Sequence, residues 1–573
     1  MAVTRLSALR LRLAERLRPL AWQSTLAVAA LVGVLGALCT IGFRALILLA
    51  ERMIFNSSGS LVHIAAGLPW WQRLIAPAGG GLVAGLLLAW ARRQPEQAGA
   101  GDYMEAVALG NGELGVRASV LRALSATATV ASGGAIGREG PMVQLAALAG
   151  SLIGRWRQMP VPRRRLYVAC GAAAGIASAY NAPIAGALFV AEIVLRSVAI
   201  ESLGPLIVAA VAANVVVGAL SDDGPVYHMP VFVLAHGATT LVLAGVGLCA
   251  GLLAPAYLAL LDGARAAFGR WHGPLWLKLG TGGLLVGLIS LREPGVWGNG
   301  YSVVNAILQG QWVWQALLTM LVLKLLAVSA TTGSGAVGGI FTPTLFVGAV
   351  VGALFGVVVQ AYWPGLIPVP VAVAVGMGAF LAACTHAPLM SVLMLFEMTE
   401  SYSTIVPLMA ACILAYAISR LLRPASIYAV GHGASQHAPA LTMAADLLRD
   451  DPPVLVVGAS MAELEDLFLR RRWQHVYLTD AAGRFAGAIS VYDFTVALQA
   501  AADAGRSNEP WPAALVRADY PRVLDTAPAW QVMEAFTRHP GERLPVLDAT
   551  GRLRGYVTKT DVVLMFRDLL GAA

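Results

Sequence analysis

A chain of 573 residues, 58% hydrophobic and only 13% charged, with a mean hydropathy of +0.70, is not an ordinary soluble globular protein. Its formal charge of +8 would suit a nucleic-acid partner in a soluble chain, but the arginines cluster at the ends of apolar stretches, so no nucleic acid is expected. Cys39, Cys170, Cys249, Cys384 and Cys412 all lie in or beside apolar segments without metal-type spacing, which argues against a disulfide framework or a zinc centre; no metal is expected.

In chain order, residues 1–20 form an amphipathic stretch bearing Arg5, Arg10, Arg12, Arg16 and Arg18, with no cleavage site, and read as a cytosolic surface segment rather than a signal peptide. Apolar runs then recur over 21–423, for instance at 24–50, 74–91, 239–261, 316–330, 345–361 and 371–383, each at or near bilayer-spanning length. An all-α polytopic membrane bundle is predicted. Arg155, Arg157 and Arg163 to Arg165 mark further cytoplasmic ends. Residues 424–437 read as a linker, and the charged, alternating sequence of 438–573 as a cytosolic α/β domain.

That tail contains a repeat: in 475–494 and 543–562, Asp480, Gly483, Arg484, Gly487 and Asp493 match Asp548, Gly551, Arg552, Gly555 and Asp561 at one constant offset. Each copy reads strand, turn, strand, helix, which predicts two modules at about 438–502 and 515–573. The membrane part is also repeated. ASGGAIGREGP at 131–141 resembles GSGAVGGIFTP at 333–343, aligning Ser132 with Ser334, Gly137 with Gly339 and Pro141 with Pro343. NAPIAGALFVAE at 181–192 resembles HAPLMSVLMLFE at 386–397 at nearly the same offset, aligning Pro183 with Pro388 and Glu192 with Glu397. A single Gly-rich motif would serve close helix packing equally well. Two pairs in the same order point instead to duplicated halves, about 21–220 and 235–423, with an ion site between them at membrane depth.

A small anion can be held in hydrocarbon by backbone N–H groups at helix starts, which offer donors and partial positive charge without a full counter-ion. Segments 137–141 and 339–343 each place glycine before a proline that opens an apolar run, so both read as helix starts inside the membrane. Glu139 sits in the first of them beside Arg138. Ionised, it would occupy the site as a tethered anion; protonated, it would swing away and couple anion passage to external pH.

These residues resemble the CLC chloride channels and chloride/proton antiporters: GREGP at 137–141, GGIFTP at 338–343, the segment at 181–192 and FEMTESY at 396–402, in order over about 400 residues. The resemblance implies the CLC fold, two inverted halves of tilted and broken helices, and a homodimer; with no organellar address in the sequence, the inner (plasma) membrane is the expected location, N-terminus and tail cytosolic. Glu139 is then similar to the family's gating glutamate. The amides of Ile340 and Phe341 would serve a central chloride site, those around Arg138, Glu139 and Gly140 an external one, and the Tyr428 hydroxyl would reach the central anion. The tail resembles tandem CBS domains, where Ser490 with Asp493 and Thr558 with Asp561 match a spacing that binds the ribose of an adenine nucleotide; capping of helices by the aspartates is the plainer alternative.

Two positions depart from the family. Gly99, Ala100, Gly101, Asp102 and Tyr103 stand where a Gly-Ser-Gly-Ile-Pro segment supplies a hydroxyl, so either the backbone at Ala100 serves alone or Tyr103 or another group substitutes, and anions such as fluoride or nitrate stay open beside chloride. Ile193 stands where the antiporters carry an inner carboxylate, which favours a voltage- or pH-gated channel over an antiporter. No cofactor is required by either reading. An enzyme built on His63, His228, His386 or Glu397 is disfavoured, because the spans carry no HExxH, paired CxxC or nucleophile elbow. A mere membrane anchor for the tail would need one or two spans, not duplicated halves.

Overall fold

The computed structural model describes the chain except residues 1, 58, 94–101, 109, 198, 222–223, 225, 231, 233–236, 311, 429–442, 471–472, 504–514, 539–540, 563–564 and 566–573. It divides into two units, Met1–Tyr428 and Ala429–Ala573, each described by itself.

In the first unit the apolar runs fold as helices because a backbone in lipid must satisfy its polar groups internally. Eight of the described helices are long and apolar enough to cross a membrane. The α-helices of the first half, spanning and shorter ones together, are in chain order α1 (Ala2–Phe55), α2 (Leu61–Gly67), α3 (Trp70–Arg93), α4 (Tyr103–Ala108), α5 (Val116–Ala131), α6 (Glu139–Trp156), α7 (Val161–Tyr180), α8 (Pro183–Phe189) and α9 (Ile200–Leu220). The second half follows with α10 (Ala238–Arg270), α11 (Leu275–Arg292), α12 (Tyr301–Gln309), α13 (Trp314–Gly333), α14 (Phe341–Tyr362), α15 (Val369–Thr385), α16 (Pro388–Thr399) and α17 (Ile405–Leu422). Residues 2–20, expected as a segment of their own, are helical and run on without a break into the first span, which begins at Trp22, as the single helix α1.

The sequence repeat is a structural repeat. Asn181 and His386 end α7 and α15 in the same left-handed conformation, φ +54° and +58°, and Pro183 and Pro388 open α8 and α16. Small residues let these helices meet closely. A Cβ built on Gly348 of α14 would lie 2.5 Å from the Gly376 carbonyl oxygen of α15, and one on Gly376 2.4 Å from that of Gly348. Alanine at either position would force the pair apart.

In the tail each sequence copy forms its own sheet. The elements are β1 (Val454–Val456), α18 (Met461–Glu465), β2 (His475–Thr479), β3 (Phe485–Ser490), α19 (Val491–Asp503), β4 (Val523–Leu524), α20 (Ala529–Arg538), β5 (Arg543–Leu547) and β6 (Leu553–Thr558). β1 runs parallel and β3 antiparallel to β2, and β4 and β6 stand the same way to β5. The expected boundaries, 438–502 and 515–573, need correction, because the modules exchange their leading segments. Ala444 packs into the core of the second module and donates its N–H to Ala527 O at 2.7 Å, while Leu515 and Val516 pack on the first and Arg517 pairs with Ala488.

Candidate functional site: two helix starts and a buried glutamate

Each half builds its helix start in the same way. The Ser132 and Ser334 hydroxyls turn back to the Thr129 and Thr331 carbonyls, at 3.1 and 2.8 Å, closing α5 and α13. Gly133 and Gly335 follow at φ +102° and +94°, a region an L side chain rarely adopts, so the chain reverses there. Four residues on, the halves meet. Gly137 N–H donates to Gly339 O and Gly339 N–H to Gly137 O, both at 2.8 Å. α6 and α14 then begin at Glu139 and Phe341, with Pro141 and Pro343 in their first turns. The helix starts foreseen at 137–141 and 339–343 are both present, and their leading amides have no intrahelical acceptors.

A cavity of about 360 Å³ lies at this junction, lined among others by Glu139, Gly140, Ile340, Phe341 and Tyr428. Tyr428 is held at its wall because Ile427 donates its N–H to Cys384 O at 2.8 Å, and its ring stands edge-on to Phe189 at 5.5 Å. Tyr180 packs on Phe341 at 4.8 Å, so an aromatic wall faces the two helix starts. Arg138 is the residue before α6 and does not line the cavity. Ala100 lies outside the described residues; beyond it, Asp102 and Tyr103 line the cavity, and Gln144 fixes Tyr103 by accepting its N–H at 3.0 Å. Arg122 of α5 and Arg265 of α10, which sequence reasoning missed, add positive charge to the lining.

Glu139 is 4% exposed. Its side chain is turned back on the junction, so that a Cβ on Gly137 would lie 1.9 Å from Oε2 and one on Gly339 3.0 Å from it. Oε1 accepts two hydroxyl hydrogen bonds, from Thr342 at 2.6 Å and from Tyr301 at 3.2 Å, while Oε2 has no protein partner. Both donors escaped the sequence reading. Thr342 was in plain view inside the second motif; Tyr301 lies far away in the chain and is marked only by the glycines before it. Among the described residues no cluster of three His, Cys, Asp or Glu could hold a metal ion.

A sequence model of the family described as voltage gated chloride channel matches residues 80–420, and one described as CBS domain matches 513–568. Over 409 residues the chain is 52% identical to a putative chloride channel protein ClcB-like of Ralstonia nicotianae, covering 70% of this chain and 95% of that one. The chain belongs to the CLC family. It is 44% identical to a voltage-gated ClC-type chloride channel ClcB of Salmonella typhimurium, again over 70% of this chain and 97% of the other. Two solved structures share its fold. A slow cyanobacterial Cl⁻/H⁺ antiporter matches with TM-score 0.62 at 24% identity, over 70% of this chain and 96% of that one. A eukaryotic CLC transporter matches with TM-score 0.65 at 18% identity, over 94% and 97%. CLC membership places the chain among membrane transport proteins, not enzymes, with a CBS region after the membrane domain.

In the tail the predicted pairs are together, but each carboxylate is already engaged. Ser490 donates to Asp493 at 2.8 Å and accepts the Asp493 N–H at 3.1 Å, while Arg517 forks onto both carboxylate oxygens at 3.0 and 3.2 Å. Thr558 and Asp561 repeat the arrangement, with Arg449 at 2.8 and 2.6 Å. Arg449 and Arg517 stand at the same offset as the two copies and each reaches the aspartate of the other segment's module, as the exchange of leading segments requires. The Ser490 hydroxyl first, and the Arg517 guanidinium after it, hold the Asp493 carboxyl below the usual carboxylate range.

Proposed function

We propose that the protein is a chloride channel of the CLC type, in which Glu139 closes the pathway when ionised and opens it when protonated. The observation that carries this is the placement of the Glu139 carboxylate against the paired starts of α6 and α14, in the position an anion would seek. Ile340, Phe341 and Tyr428 would hold the central chloride, and the amides of Arg138, Glu139 and Gly140 an outer one, exposed once the side chain leaves. The names of its relatives, chloride channel proteins, agree with this substrate. Passive conduction is favoured over exchange because Ile193 supplies no inner carboxylate, and the neighbouring Glu192 spends its own on the Met390 N–H at 2.8 Å. By the same family reading the protein is a homodimer in the inner membrane with its tail cytosolic, and the CBS modules regulate transport with or without an adenine nucleotide.

The test is chloride efflux from liposomes against external pH. Wild type should rise in rate as pH falls, and Glu139→Gln should conduct at every pH; a pH response that survives the substitution would remove Glu139 as the gate. A chloride/proton antiporter is the second reading, supported by the run of hydroxyls from Glu139 through Thr342 to Tyr180 at 3.4 Å, a polar thread into the protein. Uphill proton movement driven by a chloride gradient would establish exchange and end the channel reading.

A further inference from the structure

Lys324 of α13 is fully buried, a cost that a chain in lipid bears only where the ammonium is well satisfied. Its Nζ donates to Val296 O and Gly298 O, both at 2.8 Å, and lies 5.4 Å from the centre of the Phe346 ring on α14. The two carbonyls belong to one turn, residues 294–300, which ends where α12 begins. The first residue of α12 is Tyr301, one of the two hydroxyl donors to Glu139. Between the clamped carbonyls sits Trp297, also fully buried, and its ring fills the space beside Gly133, where a Cβ would lie 2.5 Å from it. The turn therefore touches both the segment that leads into Glu139 and the hydroxyl that holds it.

We propose that Lys324 is a positioning residue for the gate: by clamping the 294–300 turn through two carbonyls, it keeps the Tyr301 hydroxyl on the Glu139 carboxylate and so sets the pH at which that carboxylate lets go. The proposal rests on the reading of Glu139 as the gate. A donated hydrogen bond favours the ionised carboxylate, so losing it makes protonation easier and opens the path at a higher pH. The titratable and charged groups around Glu139 are Arg138 beside it, Tyr180 of α7, Tyr227, Tyr301 of α12 and Tyr428, with Asp102, Tyr103 of α4, Arg122 of α5 and Arg265 of α10 on the walls of the same cavity. Arg44 and Glu51 of α1 stand one shell out, facing Tyr301 and Arg138. Lys324 donates to the two carbonyls of the turn, and the turn is the contact through which it reaches the gate.

The experiment is chloride efflux from liposomes as a function of external pH for wild type, Tyr301→Phe, Lys324→Met and the double variant. Tyr301→Phe should move the pH of half-maximal flux upward by about one unit. Lys324→Met should move it the same way, and the double variant no further than Tyr301→Phe alone, because both act on one hydrogen bond. Additive shifts would mean that the lysine acts by its charge, and a lower rate at an unmoved midpoint would mean that it only supports the fold; either overturns the proposal. If Lys324→Met cannot be purified, Lys324→Leu, which likewise removes the donor, replaces it. If neither lysine variant folds, Tyr301→Phe alone decides, an unmoved midpoint refuting the latch. Glu139→Gln serves as the control: if it still responds to pH, the gate reading itself has failed, and that failure is separate from this one.

Discussion

The carboxylates of Glu192 and Glu397 each cap the helix on which the other is mounted. Glu397, on α16, accepts the N–H groups of Ile184 and Ala185 at 3.0 and 2.8 Å at the start of α8, while Glu192, in the turn that continues α8, accepts the N–H of Met390 at 2.8 Å at the start of α16. α8 has only seven residues and α16 twelve, so free amides at their starts would weigh heavily.

Replacing Glu397 by alanine should therefore cost about 1–2 kcal/mol of stability, as for a lost N-cap with charge at the helix start. Thermal unfolding in detergent should show a lowered transition, while the pH of half-maximal chloride flux stays where it was. A moved flux midpoint with unchanged unfolding would show that the carboxylate serves transport and not the fold.

Gly137→Ala should open the pathway. The new methyl would fall 1.9 Å from Glu139 Oε2 and 2.9 Å from Gly339 O, so the carboxylate must leave its position or the junction must part. Chloride efflux at neutral pH should then exceed that of wild type and lose much of its pH response, approaching Glu139→Gln. Efflux identical to wild type in rate and pH profile would contradict the placement of the side chain.

The tail gives an opposite kind of pH effect. Because Asp493 is held below its ordinary range in the folded state, its contribution is present at neutral pH and is lost as pH falls through that lowered value, below about 4. Unfolding of the tail, followed by a spectroscopic label in the full-length chain, should shift to lower temperature in that window, and Asp493→Asn should shift less.

The same pair bears on nucleotide binding. A ribose seeking Asp493 must displace the Arg517 fork, so Arg517→Ala should show a larger thermal shift with millimolar adenine nucleotide than wild type does. Equal shifts would mean that no ribose reaches this carboxylate.

What could be read in the sequence follows from which contacts are local. The helix starts at Glu139 and Phe341 were legible because glycine, proline and an apolar run announce a helix end within a few residues. The duplication was legible because matched motifs recur in order. Tyr301 was not, since it comes to Glu139 from α12 only through the 294–300 turn, and nothing local marks where that turn points. The exchange of segments in the tail was hidden for a similar reason: the repeat gives each copy's register but not which copy Arg449 or Arg517 will lean on. The long reach of α1 escaped because arginines and a proline at 16–19 read as an interface, whereas the helix continues through them.

Gly137 and Gly339 face each other as images of one another, yet two residues later the images part: Glu139 in one half corresponds to Phe341 in the other. A perfectly mirrored passage would treat ions arriving from either compartment alike. With Glu139 as the proposed gate, an acid on one arm and an uncharged ring on the other should give the conduit a polarity: acidity on one side alone should command it, and reversing the ion gradient should not reverse which compartment is obeyed.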